Sequence, residues 1–220
     1  MVYPEFRIPL IFDYFATFLW AVSGAIVGLH KRYDFAGVLV VALVAATGGS
    51  LLRDGLLLQR TPPVLSDGYY IPLIIAAVAV VSLFRRQITR MRFIDRLINI
   101  IDAVGVPAFA VIGMQLALSA GTPPPGVVLV GVVNGFGGGL LRDILVGNEP
   151  YALIPGTLNV SAAIFVCILF VVLVQGMSIN RDSAGWLVIG SFFVIRMLSI
   201  RYNWRTKPIL PDPPTVRGSG

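Results

Sequence analysis

The sequence predicts an all-α membrane protein with seven transmembrane helices, arranged as an inverted 3+3 repeat plus one, with glycine-kinked helices 2 and 5. Three observations predict it. The 220-residue chain is 56% hydrophobic and only 13% charged, whereas soluble domains are about half apolar and about a quarter charged. Its apolar residues come in long runs, such as Ile8 to Leu29 and Val160 to Val174. One half of the chain also repeats the other.

A helix needs about 20 mostly apolar residues to cross about 30 Å of hydrocarbon, and core helices of soluble proteins rarely hold more than about 10–14 in one run. Runs bounded by charge, Gly or Pro place spans at roughly 9–29, 36–58, 69–85, 97–119, 125–146, 157–175 and 184–202. Arg7, the apolar run after it and the small residues Ala21 to Ala25 imitate a signal peptide. Asp13 interrupts that run, and the same pattern recurs mid-chain, where no signal peptide stands. Residues 1–205 therefore read as a single transmembrane domain, and 206–220, rich in Pro and polar residues, as a disordered tail.

A shift of 89 positions, the separation of Asp13 and Asp102, superposes the two halves without a gap from Arg7 to Leu56. Arg7 falls on Arg96, Gly24 on Gly113 and Gly37 on Gly126. Gly48-Gly49 fall on Gly137-Gly138, and Leu51-Leu52-Arg53-Asp54 on Leu140-Leu141-Arg142-Asp143. Matches of Arg, Asp and Gly are informative because these residues are restricted within spans. Repeat 1 covers about 7–86 and repeat 2 about 96–175, with the seventh helix at about 184–202 unpaired. A unit that crosses three times forces its second copy upside down, a common construction among proteins that move solutes.

The net charge of +6 does not point to nucleic acid, because the basic residues cluster between apolar runs. Alternate connections hold Lys31, Arg32, Arg85, Arg86, Arg90, Arg92, Arg96, Arg201, Arg205, Lys207 and Arg217; the other set holds only Arg7, Arg60 and Arg181. Positive residues stay inside, so the N-terminus is expected outside and the C-terminus in the cytoplasm. The basic connection from Arg85 to Arg96 can attract anionic membrane lipids at about 1 kcal/mol per residue. Arg196 sits close enough to the inner end of its span to reach the interface by snorkelling.

Thr47-Gly48-Gly49-Ser50 and Asn134-Gly135-Phe136-Gly137-Gly138-Gly139 lie about 12 residues into spans 2 and 5, about 18 Å along the helix and near the midplane. Each glycine costs a helix about 1 kcal/mol relative to alanine, so the clusters permit a bend or a short unwound stretch. Freed carbonyls there could coordinate a cation, K+ near Gly49, Ser50, Gly138 and Gly139, with Thr47, Ser50 and Asn134 adding neutral oxygens. Close helix packing is the other use of such glycines, and the two can coexist. Arg53-Asp54 and Arg142-Asp143 follow by about one turn. Charges in hydrocarbon need partners, so Asp13 is expected near Arg53 or Asp54, and Asp102 near Arg142 or Asp143. These charges either select a passing ion or only hold the helices.

The paired Gly-Gly-(Gly/Ser)-Leu-Leu-Arg-Asp segments in a 3+3+1 chain resemble the trimeric intracellular cation (TRIC) channel family, over about residues 7–205. Prokaryotic members of that family also carry a putative glycine transporter label. The resemblance implies a homotrimer in the prokaryotic plasma membrane, with an hourglass pore in each subunit lined by kinked helices 2 and 5. It implies passive conduction of K+, with Na+ a possible second ion. Ser50 stands where the second repeat has Gly139, and Leu51-Leu52-Arg53 replaces the lysine-containing motif of animal members. Regulation is therefore not carried over.

A K+ channel is the first reading and a secondary transporter of a small solute such as glycine the second. An enzyme is not expected: no span offers a nucleophile with a histidine base, a metal-ligand cluster or a phosphate loop. With a single His30 and a single Cys167, no cofactor or metal cluster is implied. Gly138→Leu is expected to stop conduction while the folded protein survives.

Overall fold

The computed structural model describes residues 10–90, 94–154, 158–202 and 204. Arg7, Arg92 and the tail at 206–220 lie outside the described residues, as do the side chains of Arg90 and Arg96. Helix α1 runs Leu10–His30, and α2 runs Phe35–Leu51 and continues as a π-helical turn, Leu52–Leu57. Short α3 (Pro63–Ser66) precedes α4 (Tyr70–Leu83) and α5 (Arg85–Arg90). Then come α6 (Ile94–Ser119), α7 (Pro124–Leu145), a 3-10 turn at Tyr151–Leu153, α8 (Asn159–Val171) with a second π turn at Val172–Gly176, and α9 (Arg181–Arg201).

The protein is an all-helical membrane protein. Five stretches among the described residues are long and apolar enough to span: 35–57, 98–119, 124–145, 159–176 and 181–201. Helix α1 has 21 residues. The third expected span is shorter than drawn: α4 has 14 residues, about 21 Å at 1.5 Å per residue. Large apolar side chains point outward along the bundle, Val40, Leu129, Phe165 and Val194 among them, each more than half exposed. An apolar surface of this kind suits lipid rather than water.

Local chemistry explains where the helices begin and turn. The Asp34 carboxylate accepts from the Gly37 amide at 2.8 Å and caps α2. Asn180 does the same for Asp182 at the start of α9. Pro124 fits the first turn of α7, where no amide donor is needed. Gly121 and Gly147 adopt φ of +73° and +68°, the left-handed region that glycine enters without Cβ strain, at the ends of α6 and α7.

Helix α1 packs on α2 and α4; α6 packs on α7 and α8. The two bundles meet along α2–α7 and α1–α6, and α9 lies against α6 and α8. The 89-residue correspondence reappears in the packing. A Cβ on Gly24 would press on the Val41 carbonyl and the Ala45 side chain at 2.7 Å; one on Gly113 would press on the Val130 carbonyl at 3.1 Å and on Asn134 at 2.8 Å.

The glycine clusters correct one expectation. Helical structure runs unbroken through Gly48-Gly49 and through Gly137-Gly138-Gly139. The Leu52 amide donates to the carbonyls of both Gly48 and Gly49, so these oxygens are not freed. Departure from α-helical geometry comes one turn later, at Leu52–Leu57. The reason is packing: the glycines permit a helix–helix contact that any side chain would prevent.

Candidate functional site

That contact is reciprocal. A Cβ on Gly49 would collide with the backbone carbonyl of Asn134, and one on Gly138 with that of Ala45. A Cβ on Gly48 would reach the Leu141 side chain at 2.9 Å, and one on Gly137 the Leu52 side chain at 3.0 Å. Each of these pairs maps onto the other under the 89-residue shift. Helices α2 and α7 therefore cross backbone to backbone, through matching surfaces, as small residues allow in membranes.

Thr47, Asn134, Gly137 and Gly138 are buried at this crossing, with Gly48 and Gly49, and Gly139 is buried beside it. Thr47 Oγ1 donates to the Leu43 carbonyl and Ser50 Oγ to the Thr47 carbonyl, both at 2.8 Å, so each hydroxyl proton serves its own helix. Asn134 is committed as well. Its amide donates to the Phe109 carbonyl, and its oxygen accepts from Arg53 Nη1 at 3.3 Å. Trp20, Ala45, Gly49, Ser50, Phe109, Asn134 and Gly138 line a gap too narrow for a water molecule. Gly139 faces elsewhere; a Cβ there would press on the Trp20 ring at 3.0 Å.

Both Arg-Asp pairs are buried and self-neutralising. Arg53 Nε donates to Asp54 Oδ1 at 2.8 Å while Nη2 meets Oδ2 at 2.5 Å. Arg142 Nε donates to Asp143 Oδ1 at 2.8 Å. Arg53, Asp54, Arg142 and Asp143 are all at most 5% exposed. Such charges cost several kcal/mol each to bury, and close pairing offsets that cost, bidentate for Arg53–Asp54 and through the single oxygen Oδ1 for Arg142–Asp143. Arg60 adds a second cation to Asp54 at 3.2 Å. Arg142 Nη1 donates to Ser23 at 2.6 Å, and its guanidinium lies 5.8 Å from the Trp20 ring.

Asp13 lies within electrostatic reach of Arg53 and Asp54, and Asp102 of Arg142 and Asp143. Several partners were not anticipated from sequence. Tyr70 donates to Asp13, and Tyr14 to Asp67. The Tyr151 amide donates to Asp143 Oδ2 at 3.1 Å. Arg196 departs from its expected snorkelling. It is only 2% exposed, and its Nη2 donates to the Tyr151 hydroxyl at 3.2 Å. A second cavity, with room for about one water molecule, is lined by Trp20, Asp102, Gly139, Arg142, Asp143 and Tyr151 among others. The described residues contain no His/Cys/Asp/Glu group able to hold a metal ion.

Tyr70 supplies a hydrogen bond that Asp13 needs in an apolar setting. Tyr70→Phe is expected to lower stability by about 1–3 kcal/mol, read as a fall in Tm in detergent, while Tyr69→Phe, at an exposed ring, leaves it unchanged.

A family model described as Glycine transporter matches the chain twice, over residues 10–86 and 99–175. The chain belongs to this family. Its two matched stretches are displaced by the same 89 positions that align the glycine segments, and α9 lies beyond both. Among relatives of the family, the membrane protein YvgT of Bacillus subtilis is 32% identical over 189 residues, covering 84% of this chain and 89% of that protein. The fold is that of the prokaryotic TRIC channels. A structure described as the basis for conductance through TRIC cation channels superposes with a TM-score of 0.82 at 27% identity, covering 94% of this chain and 99% of that one. The TRIC orthologue from Rhodobacter sphaeroides gives 0.81 at 26% identity, covering 89% and 98%. These relatives are channels and membrane proteins, not enzymes.

Proposed function

We propose that the protein is a monovalent cation channel, conducting chiefly K+ through a pore within each subunit lined by α2 and α7. The observation that carries this reading is the reciprocal crossing at Gly49 and Gly138, with a self-neutralised Arg-Asp pair associated with each helix. An arginine beside a constriction repels cations; an aspartate bound to it cancels the repulsion. The crossing then presents backbone and small neutral groups to an ion, the surface from which selectivity filters are built. In the conformation described the crossing is closed, since it admits no water. Conduction requires α2 and α7 to bend at the glycines, which is where we place the kinks.

The same proposal includes the rest of the assembly: seven spans as an inverted repeat plus one, N-terminus outside, and three subunits in a prokaryotic plasma membrane. It rests on the 89-residue repeat, the distribution of basic residues and the likeness to TRIC channels. We further propose that anionic lipids bind at the cleft lined by Ser82, Arg85, Arg86 and Gln87. The test is purified protein in a planar bilayer under a K+ gradient. Discrete unitary currents reversing near the K+ equilibrium potential are expected. Silent bilayers together with saturable, counter-flow-competent glycine uptake into liposomes would overturn the channel and make the protein a carrier.

A further inference from the structure

Among the described residues three buried side-chain polar atoms make no hydrogen bond: Trp20 Nε1, Asp102 Oδ1 and Arg196 Nε. Two of these residues border one cavity, and the third reaches its lining. Trp20 and Asp102 line the second cavity together with Tyr151. Arg196 holds the Tyr151 hydroxyl at 3.2 Å and lies 5.9 Å from the centre of its ring. The other charges at this cavity, Arg142 and Asp143, satisfy each other. What remains is one carboxylate oxygen without a donor, with the Arg196 guanidinium, like that of Arg142, within electrostatic reach of Asp102. Arg196 comes from α9, which belongs to neither repeat. The first cluster also has an extra cation, Arg60, but its side chain is 35% exposed and screened by water, whereas Arg196 is 2% exposed.

We infer that Arg196 is a conductance-setting residue: its buried guanidinium, held beside the cavity by Tyr151, competes with a passing cation for the Asp102 carboxylate. The inference rests on the channel reading above. Charges in a low-dielectric interior act strongly on one another, and a single positive charge at a narrow site lowers the local concentration of cations. Asp102 attracts the ion, and Arg196 limits how long it stays occupied.

The test is unitary conductance in planar bilayers, in about 10 mM and about 1 M KCl, where the screening length is about 30 Å and about 3 Å. Arg196→Gln is expected to raise conductance about two- to five-fold at the lower concentration. The ratio falls toward one at the higher, where the site is saturated. Arg196→Lys keeps the charge and gains less than Arg196→Gln. Asp102→Asn lowers conductance at the lower concentration and abolishes the effect of Arg196→Gln in the double variant, because the two act through one pair. Equal gains with and without Asp102, or an unchanged conductance for Arg196→Gln, would overturn the inference. Unchanged conductance for Asp102→Asn alone would do so as well, even if Arg196→Gln failed to fold. A wild-type protein that carries no current refutes the channel reading instead.

Discussion

Gly138→Ala is expected to destabilise the protein by about 1–3 kcal/mol, as overpacking of a close contact does, and to stop conduction in the protein that remains folded. The added methyl meets the Ala45 carbonyl, which belongs to backbone and cannot rotate away. The only relief is to move α2 from α7, and that shift also disturbs Arg53, which reaches across to Asn134. Thermal unfolding in detergent reads the first effect and bilayer recording the second. Gly190→Ala is the control. Nothing lies within 4 Å of a Cβ there, so alanine is expected to be neutral or to stabilise α9 by up to about 1 kcal/mol. A Gly138→Ala protein as stable as wild type would mean that the helices do not touch as described. The collision also revises the expectation for Gly138→Leu: a leucine there disrupts the fold before it can block a pore.

Asp54→Asn is expected to have the second large effect. It leaves the Arg53 guanidinium buried without its bidentate partner, a change that costs about 3 kcal/mol or more; Asp13, within electrostatic reach, offsets part of it. The informative variant is the double replacement Arg53→Met with Asp54→Leu. Removing both charges recovers most of the stability, since apolar pairs often replace buried ion pairs at little cost. We expect stability to return and cation conductance to stay below wild type. Full recovery of conductance would show that the pair only holds the helices.

The helix positions were legible because lipid-facing segments are apolar all round, and their ends fall within a few residues of the charges, glycines and prolines that bound them. The repeat was legible because Arg, Asp and Gly are rare enough inside spans to carry register. The use of the glycines was not. Two adjacent glycines serve a bend and a close approach equally well, and what decides between them here is a carbonyl on the other helix, Ala45 for Gly138 and Asn134 for Gly49. Arg196 was misplaced for a related reason. Its position near the end of a span suggested an exposed head group, and only the packing of α9 against α6 and α8 buries it. Tyr70, Tyr151 and Trp20 gave no signal, because aromatic residues are ordinary in membrane spans until a particular acid or cation lies beside them.

The crossing of α2 and α7 also has a mechanical side. Where larger residues meet, helices engage through side chains that interlock, and turning one against another requires rotamers to change. At Gly48, Gly49, Gly137 and Gly138 there is nothing to interlock; two smooth backbones rest on each other, with only the tips of Leu52 and Leu141 at the margins. Such a surface works as a pivot. The two bundles can swing about it while each Arg-Asp pair travels with its own helix, and the bonds that must give are those that cross between the bundles, Arg53 to Asn134 and Arg142 to Ser23.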